Sequence, residues 1–116
     1  MKHNDNKIIT NISSFLEEKK AWNIKLIDVR EISTISDFFI IANGSNIPHL
    51  KALFEGLYLF LKKQGFNDIR KNGLPESGWM ILDVYGIMIH LFDNDIRDFY
   101  DLEGLWRDAP ITNIGE

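Results

Sequence analysis

Two apolar runs, Trp79–Val84 and Ile87–Phe92, stand two residues apart around Tyr85-Gly86. Both are rich in β-branched and aromatic residues and are bounded by Gly, Pro and Asp, the signature of paired strands. So short a connection makes them a hairpin, and the rest of the chain has to supply what covers it. With a period of two, Met80, Leu82 and Val84 point to one face of the first strand and Trp79, Ile81 and Asp83 to the other. If helices cover the first face, an indole, an aliphatic chain and a carboxylate share the second. That is the chemistry of a binding surface, where the indole supplies desolvated area and the charge sets register on a basic partner. The competing reading has Trp79 filling a groove under the loop at 73–77.

The remaining elements follow from periodicity and caps. Asn4 or Asp5 can cap a first helix with Ile8, Ile12, Phe15 and Leu16 at helical spacing and Lys19-Lys20 at its C-terminal end. Ile24–Val29 and Phe38–Ala42 are β-prone runs separated by Ser33-Thr34 turn signals. Ser45 or Asn46 can cap the next helix, with Pro48 in its first turn, Leu50, Leu53, Phe54, Leu57 and Leu61 as a core-facing stripe, and Gly65 ending it after Lys62-Lys63. A short strand over Ile69–Lys71 and the Gly73-Leu74-Pro75-Glu76 loop precede the hairpin. A final helix capped near Asn94 carries Ile96, Phe99, Leu102 and Trp106 on a docking face, with Phe99 in the core, and the tail beyond Ala109-Pro110 is expected to fray. The order α-β-β-α-β-β-β-α predicts an α/β (α+β) fold, a mixed sheet of about five strands with helices mainly on one face.

At 116 residues and 45% hydrophobic content, one domain spanning 1–116 is expected, since halves would bury too little surface to be stable. No apolar run reaches the length of a membrane span. The start, Met1-Lys2-His3-Asn4-Asp5-Asn6-Lys7, lacks an apolar secretory core, and there is no Cys, so a cytoplasmic location is expected. The net charge of −4 argues against nonspecific phosphate binding and DNA. Its distribution says more: Gly73–Asp108 carries eight acidic residues against Arg97 and Arg107, and the remainder is slightly basic. Such an acidic third suits steering toward a basic partner, or is a solvated surface.

Sites for small-molecule chemistry are thin. Gly44-Ser45 lies where a helix N-terminus could hold a phosphate, yet Asn46-Ile47-Pro48-His49-Leu50 offers no carboxylate for a metal, and a capping turn is favoured. Asp28, Asp83 and His90 could make a general-base or metal cluster only if the fold converged them, since no second His lies at ligand spacing. His90 inside its strand reads as a structural or interface histidine, and His3 and His49 as surface residues. No cofactor and no metal is expected.

The ordered set Trp79, Asp83, His90, Arg97-Asp98-Phe99-Tyr100-Asp101-Leu102-Glu103 and Leu105-Trp106 resembles the ribosomal silencing factor, or Iojap-like, family. Upstream, Asp28-Val29-Arg30-Glu31 and Asp37-Phe38-Phe39-Ile40-Ile41-Ala42-Asn43-Gly44-Ser45 resemble its other segments, so the likeness runs over about residues 8–108. Two departures, Asn43-Gly44-Ser45-Asn46-Ile47-Pro48 and Tyr85-Gly86-Ile87, concern loops. The resemblance implies a nucleotidyltransferase-like topology without catalytic carboxylates and a non-enzymatic protein. It implies binding to the large ribosomal subunit through the basic ribosomal protein L-fourteen, blocking small-subunit joining under nutrient limitation. Direct rRNA contact would be minor or absent, and a homodimer is compatible with it. The contact residues expected from it are Trp79, Asp83, His90, Tyr100 and Asp101. The alternative is a residual nucleotide-dependent enzyme using Asp28, Asp83 and His90.

Overall fold

The computed structural model describes residues 5–115, so Asn4 as a cap and His3 as a surface residue lie outside the described residues. In chain order the elements are α1 (Asp5–Glu18), β1 (Trp22–Asp28), β2 (Phe38–Asn43), α2 (Ile47–Lys63), β3 (Ile69–Asn72), β4 (Trp79–Val84), β5 (Ile87–Phe92), α3 (Asn94–Tyr100), α4 (Leu102–Leu105) and β6 (Ile111–Ile114). A one-turn helix at Pro75–Ser77 interrupts the β3–β4 connection.

The hairpin forms where the sequence places it. Tyr85 and Gly86 both take positive φ, 48° and 81°, the conformation that lets a two-residue turn follow the twist of its strands. The Gly86 carbonyl then accepts from the amides of Asp37 at 2.7 Å and Phe38 at 3.2 Å, which fixes the start of β2. From there β2 runs parallel to β5, Phe38 opposite Ile87 through Asn43 opposite Phe92, while every other pairing is antiparallel. The sheet is mixed and six-stranded in the order β3-β4-β5-β2-β1-β6. Its sixth strand corrects the expectation of a frayed tail. Ile111–Ile114 pairs with Ile24–Ile27, because the Asp28 amide donates to the Pro110 carbonyl at 3.0 Å and leads the tail onto the edge.

The two long helices lie on one face. Ile8, Ile12 and Leu16 of α1 and Leu50, Leu53, Phe54, Leu57 and Leu61 of α2 pack with Ile40, Ala42, Met80, Leu82, Val84, Ile87, Ile89 and Leu91 of the strands. Each fully buried Leu or Ile contributes about 1.5–3 kcal/mol, so this layer supplies most of the hydrophobic stabilisation. Asn46 caps α2, accepting the His49 amide at 2.8 Å. The other face carries a smaller cluster of Ile27, Val29, Phe39, Ile41, Phe92, Leu102 and Ala109, covered by α3 and α4. No helix among the described residues is long and apolar enough to cross a membrane.

Candidate partner-binding surface

On the face away from the long helices, register aligns three rows of residues: Arg70, Asp83 and Met88; Asn72, Ile81 and His90; and Trp79 beside Phe92. Trp79, Ile81 and Asp83 are half-buried while Met80, Leu82 and Val84 are buried, so the alternation of β4 falls as expected. The Trp79 indole stacks on Phe92 with ring centres 4.9 Å apart at 29° and meets Tyr100, tilted at 48°, at 4.9 Å. Its Nε1–H donates to Nδ1 of His90 at 3.1 Å. Gly73, at φ 94°, passes so close to the Trp79 carbonyl that a Cβ there would overlap it. What remains open is a shallow groove of roughly 240 Å³ lined by Asn72, Gly73, Ser77, Trp79, Ile81 and Tyr100. Trp79 is half-buried and lines this groove together with Gly73 and Ser77 of the loop.

Tyr100 reaches that groove because the last helix breaks. Asp93, next to Asn94, caps α3, accepting from Asp95 N at 2.8 Å and Ile96 N at 3.3 Å. At Asp101 the backbone turns left-handed, φ 46°, and its carboxylate accepts the Gly104 amide at 3.1 Å to start α4. A continuous helix would have put Phe99 on the docking face. The break places it outside, 78% exposed, which corrects its assignment to the core, whereas Leu102 is buried and Ile96 and Trp106 pack partly against the second cluster.

The corner is held by Arg97, a residue the sequence singled out only as part of a motif. Arg97 is 2% exposed. Its Nη1 donates to the Asn23 carbonyl at 2.6 Å and to Asn43 Oδ1 at 2.7 Å, and Nε and Nη2 donate to the two Glu103 oxygens at 3.2 and 3.0 Å. Asn23, left-handed at φ 53°, sits in the bulge of β1 and is paired in neither ladder, which leaves its carbonyl for this bond. Burial pushes the Glu103 carboxyl up, but the hydrogen bonds and charge of Arg97 and the charge of Lys25 outweigh it and hold the group below its ordinary value. Six residues apart, Arg97 and Glu103 do not share a helix face. Only the break at Asp101 brings them together, which is why spacing did not reveal the pair.

Of the residues expected at the site, Trp79, His90 and Tyr100 converge. Asp83 lies four residues along β4 from Trp79, about 13 Å, on the same face. Asp101 is exposed and its carboxylate serves as a cap. His90 is not beside them at the surface but beneath, 3% exposed, with ring contacts to Phe39 and Phe92 as well as Trp79. Burial pushes its imidazole down to about 4, so it is neutral at pH 7.

The groups for catalysis are not assembled. Asp28 falls on the opposite face of the sheet from Asp83 and His90, and on a strand about 14 Å away from β4 across three spacings. It is paired with Arg30 at 2.7 Å, whose hydrogen bond holds its carboxyl below the usual range. In the Gly44-Ser45 turn, the Ser45 amide donates to Nδ1 of His49 at 2.9 Å, so the chain's own side chain fills the place a phosphate would take. His49 is half-buried rather than a free surface residue, since its Nε2 also donates to the Lys19 carbonyl at 2.8 Å. Among the described residues no group of three or more His, Cys, Asp or Glu side chains could hold a metal.

The fold recurs in known proteins. A crystal structure of a protein from Chromobacterium violaceum superposes with a TM-score of 0.84 at 26% identity, covering 90% of this chain and 88% of that one. One from Bacillus halodurans gives 0.79 at 27% identity over 92% and 97%. In sequence, the ribosomal silencing factor of Halalkalibacterium halodurans is 31% identical over 99 residues, 85% of each chain. That of Bacillus subtilis is 27% identical over 96% of this chain and 94% of its own length. A mouse protein named for mitochondrial assembly of the ribosomal large subunit is 30% identical over 80% of this chain and 42% of its own. The family model described as ribosomal silencing factor during starvation matches residues 2–116, and the chain belongs to that family.

Proposed function

We propose that this chain binds the large ribosomal subunit through ribosomal protein L-fourteen and, by occupying that surface, keeps the small subunit from joining. The observation that carries this reading is the groove formed by Trp79, Ile81 and Tyr100, an aromatic surface on the face the long helices leave uncovered. Asp95, Asp98 and Asp101 are exposed on the segment that carries Tyr100; of the two cations near them in sequence, Arg97 is consumed internally by Glu103, and Arg107 is exposed and donates to the Gly104 carbonyl at 3.2 Å. A basic partner would meet an aromatic anchor with carboxylates on the neighbouring segment, which favours fast association and defined register.

In this reading Trp79 and Tyr100 are the apolar anchors and Asp83 and Asp101 the charges facing Lys or Arg, with no catalytic step, no cofactor and little rRNA contact. The protein acts in the cytoplasm as one domain. A homodimer that covered Trp79 would compete with the ribosome, and light scattering after size exclusion would expose it as a mass that rises with concentration.

The test is sedimentation of purified subunits with wild-type protein and with Trp79→Ala plus Asp83→Lys, under conditions where subunits join. Wild type should travel with the large subunit and lower the joined fraction, and the folded double variant should do neither. Wild-type protein left at the top of the gradient, with joining unchanged, would defeat the reading.

A further inference from the structure

His90 is a poor choice for packing alone. Because Nδ1 accepts the Trp79 indole N–H at 3.1 Å and the ring is neutral, the imidazole proton sits on Nε2. That N–H is buried and has no partner among the described residues. A buried donor without an acceptor is destabilising and calls for an explanation, and a Phe at this position would avoid it. The one satisfied polar atom of His90 is the one that faces Trp79.

Trp79 in turn needs that atom. Its stack on Phe92 is made through ring faces and the Tyr100 ring meets it tilted at 48°, and neither contact is directional enough to fix where Nε1 points. A hydrogen bond from Nε1 fixes the direction. We propose that His90 is a positioning residue of the binding surface: its unprotonated Nδ1 holds the Trp79 indole in the orientation that shapes the groove, without touching the partner. The inference rests on the reading of Trp79 as a contact residue and adds the element that presets it, so the orientation is in place before binding rather than selected by it.

Three variants test this. His90→Phe removes the acceptor and keeps an apolar ring, His90→Leu replaces it should Phe disturb the amide spectrum, and His90→Asn returns an acceptor near the Nδ1 position. The Trp79 indole N–H resonance, assigned by its loss in Trp79→Phe, should exchange with solvent about tenfold faster in the Phe variant. Affinity for purified large subunits should fall by about the same factor, and both should recover in part with Asn. Exchange and affinity unchanged in the Phe variant, or an Asn variant no better than Phe, would overturn the proposal. Wild-type affinity in Trp79→Ala would remove Trp79 from the contact surface and His90's role with it. Wild-type protein that fails to bind refutes the partner reading alone, since the exchange measurement needs no ribosome and still decides whether His90 holds the indole.

Discussion

Replacing Arg97 by Met should unfold the corner that carries Tyr100, and the size of the effect can be worked from its partners. Met matches the length of the arginine stem, so the lost apolar packing is small. What is lost is four hydrogen bonds, two of them a forked pair to Glu103. Asn23 is exposed, and water can take over its carbonyl. Asn43 is fully buried and its oxygen is stranded, while the Glu103 side chain, only 21% exposed, keeps just the looser pairing with Lys25 at 3.8 Å. An unpaired buried acceptor costs about 1–3 kcal/mol, and breaking a buried ion pair about 3–5 kcal/mol. Allowing for the partial solvation of Glu103, a loss of about 3 kcal/mol is expected, or about 12–15 °C in melting temperature for a domain near 100 residues. Thermal and urea unfolding followed by circular dichroism measure it. Adding Glu103→Gln should return about 1–2 kcal/mol, because the poorly paired charge is gone. The pH dependence should also weaken. In the wild type Glu103 contributes stability above its ordinary value of 4.5 that is lost as pH falls through its lower folded value, whereas without Arg97 the burial that raises the group is opposed only by the charge of Lys25 and a backbone hydrogen bond, and that contribution shrinks. An Arg97→Met protein within about 0.5 kcal/mol of wild type would refute the reasoning.

Acid should weaken the fold through His90. Its folded value near 4 lies below the ordinary 6.5, so the unfolded chain binds the extra proton first and stability falls as pH drops through that window. The imidazole's neighbours, Ile41 and Ile81 on the flanking strands and the rings of Phe39, Trp79 and Phe92, bring no charge to offset it, and the full loss is about 3 kcal/mol. Chemical denaturation between pH 7 and 4 should show this decline in wild type and a flatter one in His90→Phe. Gly73→Ala should cost about 2 kcal/mol or more, since alanine resists φ 94° and its Cβ would run into the Trp79 carbonyl. A melt that moves by less than a degree or two would show that the loop relaxes freely.

What the sequence made legible were the features with a short period. The hairpin, the stripe of α2 and the alternation of β4 each repeat within a few residues, and hydrophobic burial reads that repeat directly. The sixth strand was hidden because Ile111–Ile114 is exposed along most of its length, so no apolar run marks it and only its pairing with β1 makes it a strand. Phe99 was misplaced because the helical period was carried through Asp101, a residue whose left-handed turn has no strong signature outside Gly and Asn. His90 and Arg97 were legible as motif members but not as buried groups. Nothing local says that a polar residue will be held by partners 6 or 54 positions away, as Arg97 is linked to Glu103 and Asn43.

The distribution of buried polarity explains why so small a corner can hold a defined surface. The layer beneath the long helices is almost wholly apolar, and α1 and α2, at 14 and 17 residues, bring enough area to be held by burial. By contrast α3 and α4 have seven and four residues, too short to persist alone and too small to be fixed by apolar area. Asn43, His90 and Arg97 all lie on their side of the sheet. Directional bonds from these three set where α3 turns, where Tyr100 emerges and how Trp79 lies. Apolar contact would hold the same segments with less orientation, since it rewards area and not angle. Changes at these covered positions should therefore alter binding without removing a contact atom, whereas changes to the α1–α2 layer should move stability and leave the affinity of the folded fraction as it was.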